Sequence, residues 1–202
     1  MENYRIQLEP GRYYHIFNHA VGQENLFLED KNYAFFLEKF EKYIVEFVDV
    51  YVYCLMPNHF HFLIRVKETC QTTLKVSDRL GFNIVSNAFK KFFTSYTNSF
   101  NKVYYKKGSL FQPRFKRRLI EDENHLRNTI LYIHNNPVSH GFVSNMAEWK
   151  FSSYNTILEK NTPDWLKSSE VIGLFDDVSN FIFCHSKNSI LSDTLNVSDS
   201  YE

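Results

Sequence analysis

The chain has 202 residues, of which 44% are hydrophobic and 17% aromatic, so it is long enough for one domain with a substantial core. Its formal net charge is zero, and its three cysteines show no metal-binding spacing, which argues against a disulfide framework and for a reducing compartment. Residues 1–10 lack the apolar core of a signal peptide, and no apolar run reaches membrane-spanning length. The sequence therefore predicts a cytoplasmic protein that does not bind a membrane.

Seven segments carry the spacing of strands or helices. Strands are predicted from β-branched and aromatic composition, and helices from apolar residues that recur every three to four positions. In chain order the predicted elements are a strand at 13–20, a helix at 31–48, strands at 49–56 and 59–66, a helix at 82–101, a strand at about 115–120 and a helix at about 124–136. The last helix is expected to end near Asn136, because Pro137 disfavours helical geometry in the residue before it.

The first six elements follow the order of the ferredoxin-like split βαβ fold. We therefore expect an α+β domain at residues 1–158, with an antiparallel sheet whose helices cover one face and whose other face stays open. Residues 159–202 are less patterned, and we expect a C-terminal extension with a short helix near 171–175 and a disordered tail. Because this segment is acidic, it could also fold over a basic face.

The strand predicted at 59–66, here named the histidine strand, has two different faces. Side chains alternate along a strand, so Phe60 and Phe62 point into the core, whereas His59 and His61 point the other way, about 7 Å apart. Two imidazoles at this spacing can converge on one metal ion. A His-x-His pair is equally compatible with packing or hydrogen bonding, so the pattern alone leaves both interpretations open.

The last predicted helix supplies two further polar side chains. Tyr132 and Asn136 are four residues apart and share a helix face that differs from the apolar face at Leu126, Ile130 and Ile133. If the polar face packs toward the histidine strand, two imidazoles and an amide oxygen could hold a divalent ion, and the phenol could attack a phosphodiester. Taken alone, Tyr132 could be a core or surface residue, and Asn136 before a proline is ordinary helix-stop chemistry.

The middle of the chain is basic despite the zero net charge. No Asp or Glu occurs between Arg79 and Arg118, and the charge balance reverses after Glu159. Aromatic residues are interleaved with these cations, a combination that binds single-stranded nucleic acid through its phosphates and stacked bases, although a solvated surface would look similar. The cations predicted to hold the strand are Lys106, Lys107, Arg114, Lys116, Arg117 and Arg118.

Four short motifs follow one another along the chain. They are MPNHFHFL at 56–63, GSLFQPRF at 108–115, YIHNNPV at 132–138 and WKFSSY at 149–154. In this order they resemble the REP-associated tyrosine transposases, relatives of the single-tyrosine insertion-sequence transposases in the HUH endonuclease superfamily. The resemblance covers about residues 13–158 and implies a ferredoxin-like fold.

The resemblance also implies a role for each site residue. His59 and His61 would bind Mg²⁺ or Mn²⁺, Asn136 would complete the metal site, and Tyr132 would be the nucleophile. The substrate would be hairpin-bearing single-stranded DNA, nicked through a 5′-phosphotyrosine intermediate and rejoined by a 3′-hydroxyl. The protein would be a monomer or a homodimer, because in this superfamily the tyrosine helix can serve its own subunit or a partner's.

One alternative function belongs to a different class. Ferredoxin-like sheets with aromatic residues also bind single-stranded nucleic acid without any catalysis. Such a module would need exposed aromatic rings where this chain places its histidine pair. Binding without metal and without cleavage would favour the alternative.

Overall fold

The computed structural model describes residues 6–71, 84–159 and 162–188; the predictions on Arg79, on Phe82 and on the tail at 189–202 lie outside these ranges. The strands are β1 Tyr13–His19, β2 Val48–Met56, β3 His59–Val66 and β4 Lys116–Ile120. The helices are α1 Asp30–Ile44, α2 Ile84–Tyr104, α3 Glu123–Ser139, α4 Ser153–Leu158, α5 Ser168–Gly173 and α6 Val178–Asn188. In these ranges, no helix combines the length and the apolar character needed to cross a membrane.

The four strands form one sheet in the order β2-β3-β1-β4, and every neighbouring pair is antiparallel. Since α1 connects β1 to β2 and α2 connects β3 to β4, this is the predicted ferredoxin-like split βαβ arrangement. β1 and β3 occupy the centre of the sheet, and β4 forms one edge. Side chains of β1 therefore lie between those of the histidine strand and those of the basic strand β4.

Aromatic rings fill the layer between the sheet and the pair of helices α1 and α2. Phe36 and Phe40 lie four residues apart and share the inner face of α1, where they are buried together with Phe92 of α2. Phe40 stacks on Phe62 of β3 with ring centroids 4.0 Å apart. Burying each ring stabilises the fold by about 1.5–3 kcal/mol. This core contains the even-numbered face of β3, as predicted.

The opposite face of the sheet, here named the histidine face because it carries His59 and His61, is not open. The prediction of an open face was wrong, because α3 lies across β2 and β3 and leaves these residues only 3% and 0% exposed. Part of the predicted extension forms a further layer, in which Val171 and Phe181 are buried: α5 packs on β2 and α6 on α3. The described part of this segment thus covers α3 rather than the basic strand. A domain boundary at 158/159 stays a prediction.

α3 continues through Pro137 and ends at Ser139, beyond the predicted end near Asn136, so the expectation that Pro137 stops the helix was wrong. Proline removes one hydrogen bond, but burial of this last turn overrides the local preference against a helical residue before proline. The helix ends before Gly141, whose φ of 71° allows a Schellman motif in which the Phe142 N–H donates to the Pro137 carbonyl at 2.9 Å.

The motif at 149–154 fixes the outer edge of the sheet. The Leu55 N–H of β2 donates to the Phe151 carbonyl at 2.9 Å, and the Trp149 indole N–H donates to the Leu55 carbonyl at 3.1 Å. The Phe151 ring also stacks on Tyr33 of α1, with centroids 3.6 Å apart. The motif thereby covers part of an edge strand that would otherwise expose unpaired backbone groups.

Candidate active site

α3 brings Tyr132 and Asn136 to the histidine strand, which is the arrangement that the hypothesis of a metal site required. The Asn136 side-chain oxygen lies 3.0 Å from His59 Nε2. The Tyr132 ring meets the His61 ring edge-on with centroids 5.7 Å apart, and the two histidine rings are 5.1 Å apart. All four predicted residues therefore meet within one chain.

β1 adds two histidines that the sequence analysis did not assign to the site. His15 Nε2 lies 2.9 Å from His61 Nδ1, and the His19 ring stacks on the His59 ring with centroids 4.7 Å apart. Both positions are odd-numbered residues of a strand that pairs with β3, so they share the histidine face. The pairing of β1 with β3 in a ferredoxin-like sheet was the signal that could have identified them.

One nitrogen of His61 is buried and has no partner. Its Nδ1 faces His15, whereas its Nε2 has no hydrogen-bond partner within the described ranges. Burial lowers the pKa of His61 well below its usual value and the pKa of His15 to about 3, so both rings are neutral at pH 7. Donation of the His61 Nδ1–H to His15 leaves His61 Nε2 with the lone pair that a metal ion needs.

The His59 ring faces an oxygen on each side. Its Nδ1 lies 2.8 Å from Asn58 Oδ1, and its Nε2 lies 3.0 Å from Asn136 Oδ1. Burial lowers the pKa of His59 to about 3, and a neutral imidazole has one N–H and can donate to only one of these oxygens. Two electron-rich atoms, the His59 Nε2 lone pair and the Asn136 oxygen, then face each other. A cation between these two atoms would remove their repulsion, and so would rotation of the Asn136 amide.

These three residues fit a divalent ion. Two ligands on adjacent corners of an octahedral Mg²⁺ site, each about 2.1 Å from the ion, lie about 3 Å apart, which is the spacing between His59 Nε2 and Asn136 Oδ1. No cluster of three or more His, Cys, Asp or Glu side chains in the described part of the chain is arranged to hold a metal. An ion held by His59, His61 and Asn136 would keep open positions for substrate oxygens. Their role as ligands stays a prediction.

Two of the six predicted DNA-binding cations lie on the histidine face. In β4, Lys116 is opposite Phe17 and Arg118 is opposite His15. Both cations lie over the Phe17 ring, 5.8 and 5.5 Å from its centroid. Arg118 also lines a cavity of about 150 Å³ beside Tyr132. A phosphate that approaches Tyr132 would therefore meet positive charge.

The other four predicted cations lie away from the histidine face. Arg117 points to the opposite side of the sheet, where its Nη1 donates to a serine hydroxyl of α2 at 2.8 Å. Arg114 is exposed just before β4 and has a φ of 68°. Lys106 and Lys107 lie in the loop after α2, where Lys106 forms an ion pair with Glu24. A role of these cations in binding DNA stays a prediction.

A second pair of buried histidines lies on the far side of α3. His134 Nδ1 lies 2.9 Å from His185 Nε2, and His134 Nε2 lies 2.8 Å from Ser153 Oγ. Because His185 Nδ1 donates to the Phe181 carbonyl at 2.7 Å, its Nε2 accepts from His134, whose own Nε2 accepts from the serine. Burial lowers the pKa of His134 well below its usual value and that of His185 to about 4. Every ring nitrogen of this pair has a partner.

Comparison with known proteins identifies relatives of one kind, although no family model matches the chain. A Haemophilus influenzae protein that carries the name REP-associated tyrosine transposase is 28% identical over 162 residues, which cover 77% of this chain and 86% of that protein. The REP-associated tyrosine transposase of Escherichia coli is 28% identical over 107 residues, which cover 53% of this chain and 54% of that protein.

A solved structure of a REP-associated tyrosine transposase bound to a REP hairpin shares the fold. The TM-score is 0.63 at 19% sequence identity, over 82% of this chain and 90% of that chain. The fold and the site thus define a ferredoxin-like domain with a tyrosine and an asparagine facing a histidine pair. The comparisons confirm the resemblance drawn from the four motifs: the chain is similar to REP-associated tyrosine transposases.

Proposed function

We propose that this chain is a metal-dependent, transposase-like enzyme that nicks single-stranded DNA and rejoins it through a phosphotyrosine. The observation that carries the proposal is the convergence of Tyr132 and Asn136 on His59 and His61 within one chain. The relatives' shared name supports a role in DNA transposition. The REP hairpin bound by the structural neighbour supports a hairpin-bearing strand as the substrate.

The proposed reaction exchanges one phosphoester bond for another. The Tyr132 oxygen forms a bond to the scissile phosphorus while the bond from phosphorus to the 3′ oxygen breaks. The products are a 5′-phosphotyrosine and a free 3′-hydroxyl. The proton lost by the phenol is balanced by the one that the 3′ oxygen gains. Because the intermediate keeps a phosphoester, attack by a second 3′-hydroxyl reverses the step and joins new ends.

The metal site would polarise the phosphate. Mg²⁺ or Mn²⁺ held by His59, His61 and Asn136 would act as a Lewis acid on a phosphate oxygen. His15 Nε2 lies 2.9 Å from His61 Nδ1, and by accepting the Nδ1–H it would fix the tautomer that presents Nε2. The hydrogen bond from His59 Nδ1 to Asn58 orients the second imidazole in the same way.

A cavity with a cationic side chain in its wall lies beside Tyr132. A phenol has an ordinary pKa near 10, so the hydroxyl must lose a proton to become a strong nucleophile. Arg118 and His125 line the cavity beside the ring, and the Arg118 guanidinium would attract a phosphate that enters it. The site is complete within one chain, which favours a monomer as the active unit over a homodimer that exchanges tyrosines.

A labelled hairpin oligonucleotide with single-stranded flanks tests the nucleophile. With Mg²⁺ or Mn²⁺, the wild-type protein should form a denaturation-resistant covalent adduct. Tyr132→Phe should form none, because the substitution keeps the ring and removes the attacking oxygen. Tyr154→Phe is the matched control: it changes a buried tyrosine of α4 outside the site and should leave the adduct unchanged. An adduct formed by Tyr132→Phe would overturn the assignment.

The same assay separates the proposal from a non-catalytic module. Binding of the oligonucleotide that is independent of metal, with no cleavage of any single strand, would favour the module. The covered histidine face weighs against that alternative, since it offers no open platform of aromatic rings on which bases could stack.

A further inference from the structure

The cavity beside Tyr132, here named the tyrosine cavity, lies between α3 and the strands β1 and β4. Its volume is about 150 Å³, which is room for a few water molecules at about 30 Å³ each. Besides Tyr132, it is lined by His15, Arg118, Ile120, His125, Asn128 and Thr129. In the proposed nicking step the Tyr132 hydroxyl loses a proton, so the group that takes this proton must lie at the cavity or beside the ring.

The two imidazoles that contact the Tyr132 ring are poor proton acceptors. The centroids of the His15 and His61 rings lie 5.9 and 5.7 Å from that of Tyr132. Burial lowers the pKa of His15 to about 3 and that of His61 well below its usual value, so neither ring holds a proton at neutral pH. The proton of the phenol therefore has to go to another group.

Among the described residues that line the tyrosine cavity, one further side chain can take up a proton. Arg118 keeps its charge at every relevant pH, and Ile120 is apolar. Asn128 and Thr129 are not bases, and the Thr129 hydroxyl donates to the His125 carbonyl at 2.8 Å. The remaining lining residue is His125, which is half-buried. Histidine is the side chain that most readily exchanges a proton between about pH 5 and 8.

The helix places His125 and Tyr132 on one face. They are seven residues apart, close to two full turns, which separates their Cα atoms by about 10 Å along the axis. Helical side chains lean toward the N-terminus, so the Tyr132 ring extends back toward His125. His125 is held in the first turn, where its backbone N–H donates to Asp122 Oδ1 at 2.8 Å. A direct contact, or one water molecule in the cavity, would connect the phenol to the imidazole.

We infer that His125 takes the proton of the Tyr132 hydroxyl during nicking and returns it during rejoining, an inference that rests on the proposed function. During nicking the phenol O–H bond breaks, the phenol oxygen bonds to phosphorus, and a ring nitrogen of His125 binds the proton. The 3′ oxygen that leaves phosphorus takes a proton from water. During rejoining the attacking 3′-hydroxyl gives its proton to water, and the imidazolium protonates the departing phenolate.

Titratable groups face His125 from every element that forms the tyrosine cavity. They are His15 of β1, Arg118 of β4, and Asp122 and Tyr132 of α3. The imidazolium formed during nicking lies beside a guanidinium. A phosphate that enters the cavity balances both positive charges, so proton transfer should be favoured when DNA is bound. His125 is thus expected to act on bound substrate and to add little to its affinity.

The rate of adduct formation with the hairpin oligonucleotide and Mg²⁺, measured as a function of pH, tests the inference. The wild-type rate should fall as the pH decreases from about 8 to about 5, because a protonated imidazole cannot accept a proton. At pH 8, His125→Ala should be slower by about 100-fold or more, and its rate should keep rising toward the range where a phenol ionises, near pH 10. Metal ligands titrate in both proteins, so the difference between the two profiles isolates His125.

Chemical rescue separates proton transfer from a structural role. Added imidazole fits the space left in His125→Ala and should restore part of the rate, in proportion to the concentration of neutral imidazole. Mg²⁺ suits this assay because it prefers oxygen ligands to imidazole. Imidazole should not restore Tyr132→Phe, which lacks the attacking oxygen. The affinity of His125→Ala for the oligonucleotide in metal-free buffer, measured by fluorescence anisotropy, should stay within about twofold of the wild type.

The matched control is Asn124→Ala, which changes an exposed neighbour in the first turn of α3 that does not line the tyrosine cavity. Its rate and pH dependence should be those of the wild type. Thermal melting establishes that each variant is folded. His125→Gln is a second variant, because its amide keeps polar contacts but cannot take up a proton, and it should be as slow as His125→Ala.

An unchanged rate in both His125 variants would overturn the inference. So would a lower rate with the wild-type pH dependence and no rescue by imidazole, since that pattern indicates a structural or phosphate-binding role. The proposed function fails in a different way. If the wild-type protein forms no adduct, the nicking activity and the role of His125 are both overturned. If the adduct depends on Tyr132 and not on His125, only the role of His125 is overturned.

Discussion

Two pairs of buried histidines flank α3, and they differ in how fully their nitrogens are paired. On the far side, the nitrogens of His134 and His185 belong to one closed chain of donors and acceptors. On the histidine face, His61 Nε2 has no partner in the described ranges, and the His59 ring faces more oxygens than it has protons to donate. Since buried polar groups are almost always paired, only the second pair needs a further ligand.

Burial and pKa do not separate the two pairs. The pKa of His59 is lowered to about 3 and that of His185 to about 4, in both cases chiefly because burial disfavours the charged ring. Neutral imidazoles carry the lone pairs that metals bind, so the lowered pKa values suit a metal site on either side of α3. The two histidine pairs differ in whether each ring nitrogen that carries a lone pair already accepts a hydrogen bond from a neighbour.

The largest effect should follow from removing a ligand on the histidine face. His61→Ala should lower adduct formation with the hairpin oligonucleotide by more than about 100-fold. Mutation of residues that only hydrogen-bond to a metal ligand already lowers metal affinity or activity by about 10–100-fold. Isothermal titration with Mn²⁺ should show the binding weakened to the same extent. The reason is that one of two imidazole ligands is lost.

His185→Ala is the matched control, because it removes one histidine of the far-side pair. It should lower the free energy of unfolding by about 1–3 kcal/mol, since His134 loses its hydrogen-bond acceptor in a buried site. Mn²⁺ binding and adduct formation by the folded protein should be unchanged. Equal loss of Mn²⁺ binding in both variants would show that the two pairs do not differ in function.

A smaller effect should follow from removing the support of His61. His15→Ala deletes the acceptor that faces His61 Nδ1, and we expect the affinity for Mn²⁺ to fall by about 10–100-fold. His15→Gln keeps an acceptor in the side chain and should recover part of the affinity. Titration calorimetry of the three proteins checks both statements. An unchanged affinity in His15→Ala would mean that the contact does not orient the ring.

The sequence predicted those features that depend on local periodicity. β3 and α1 each have a regular apolar face, and the four-residue spacing of Tyr132 and Asn136 put both on one side of α3. The chain order of the elements then sufficed for the ferredoxin-like fold. The functional interpretation depended on the four motifs together, and not on the His-x-His pair alone.

The features that were missed depend on contacts between distant segments. His15 is 46 residues from His61, and only the pairing of β1 with β3 brings them together. The open sheet face was wrong because the packing of α3 across β2 and β3 is a contact between distant segments, which the periodicity of α3 alone does not show. α3 runs past the predicted end near Asn136 because packing of the buried residues Asn136 and Pro137 outweighed the local preference against a helical residue before proline.

The smallest predicted effect concerns the far-side pair and acidic pH. The pKa of His185 is about 4 in the folded protein, because of burial, and an unfolded histidine titrates near 6.5. Between these values the unfolded chain binds more protons than the folded one, so stability is complete above the unfolded pKa and decreases as the pH falls. For His185 alone, the free energy of unfolding should fall by about 2 kcal/mol from pH 7 to pH 5.

Urea unfolding at pH 7 and pH 5, with EDTA present, measures this loss in the wild type and in His185→Asn. Histidines on the other face of α3 titrate in both proteins, so the difference between the two pH dependences isolates the far-side pair. Among the described residues, the titratable groups that contact the His185 ring are His134, which is also neutral, and Tyr154, whose ring centroid is 5.1 Å away. At pH 7 the free energy of unfolding of His185→Asn should be lower than that of the wild type. Between pH 7 and pH 5, however, it should decrease by less than that of the wild type. Parallel pH dependences in the two proteins would mean that protonation of the far-side pair does not oppose folding. The difference between the far-side pair and the pair on the histidine face would then depend on metal binding alone.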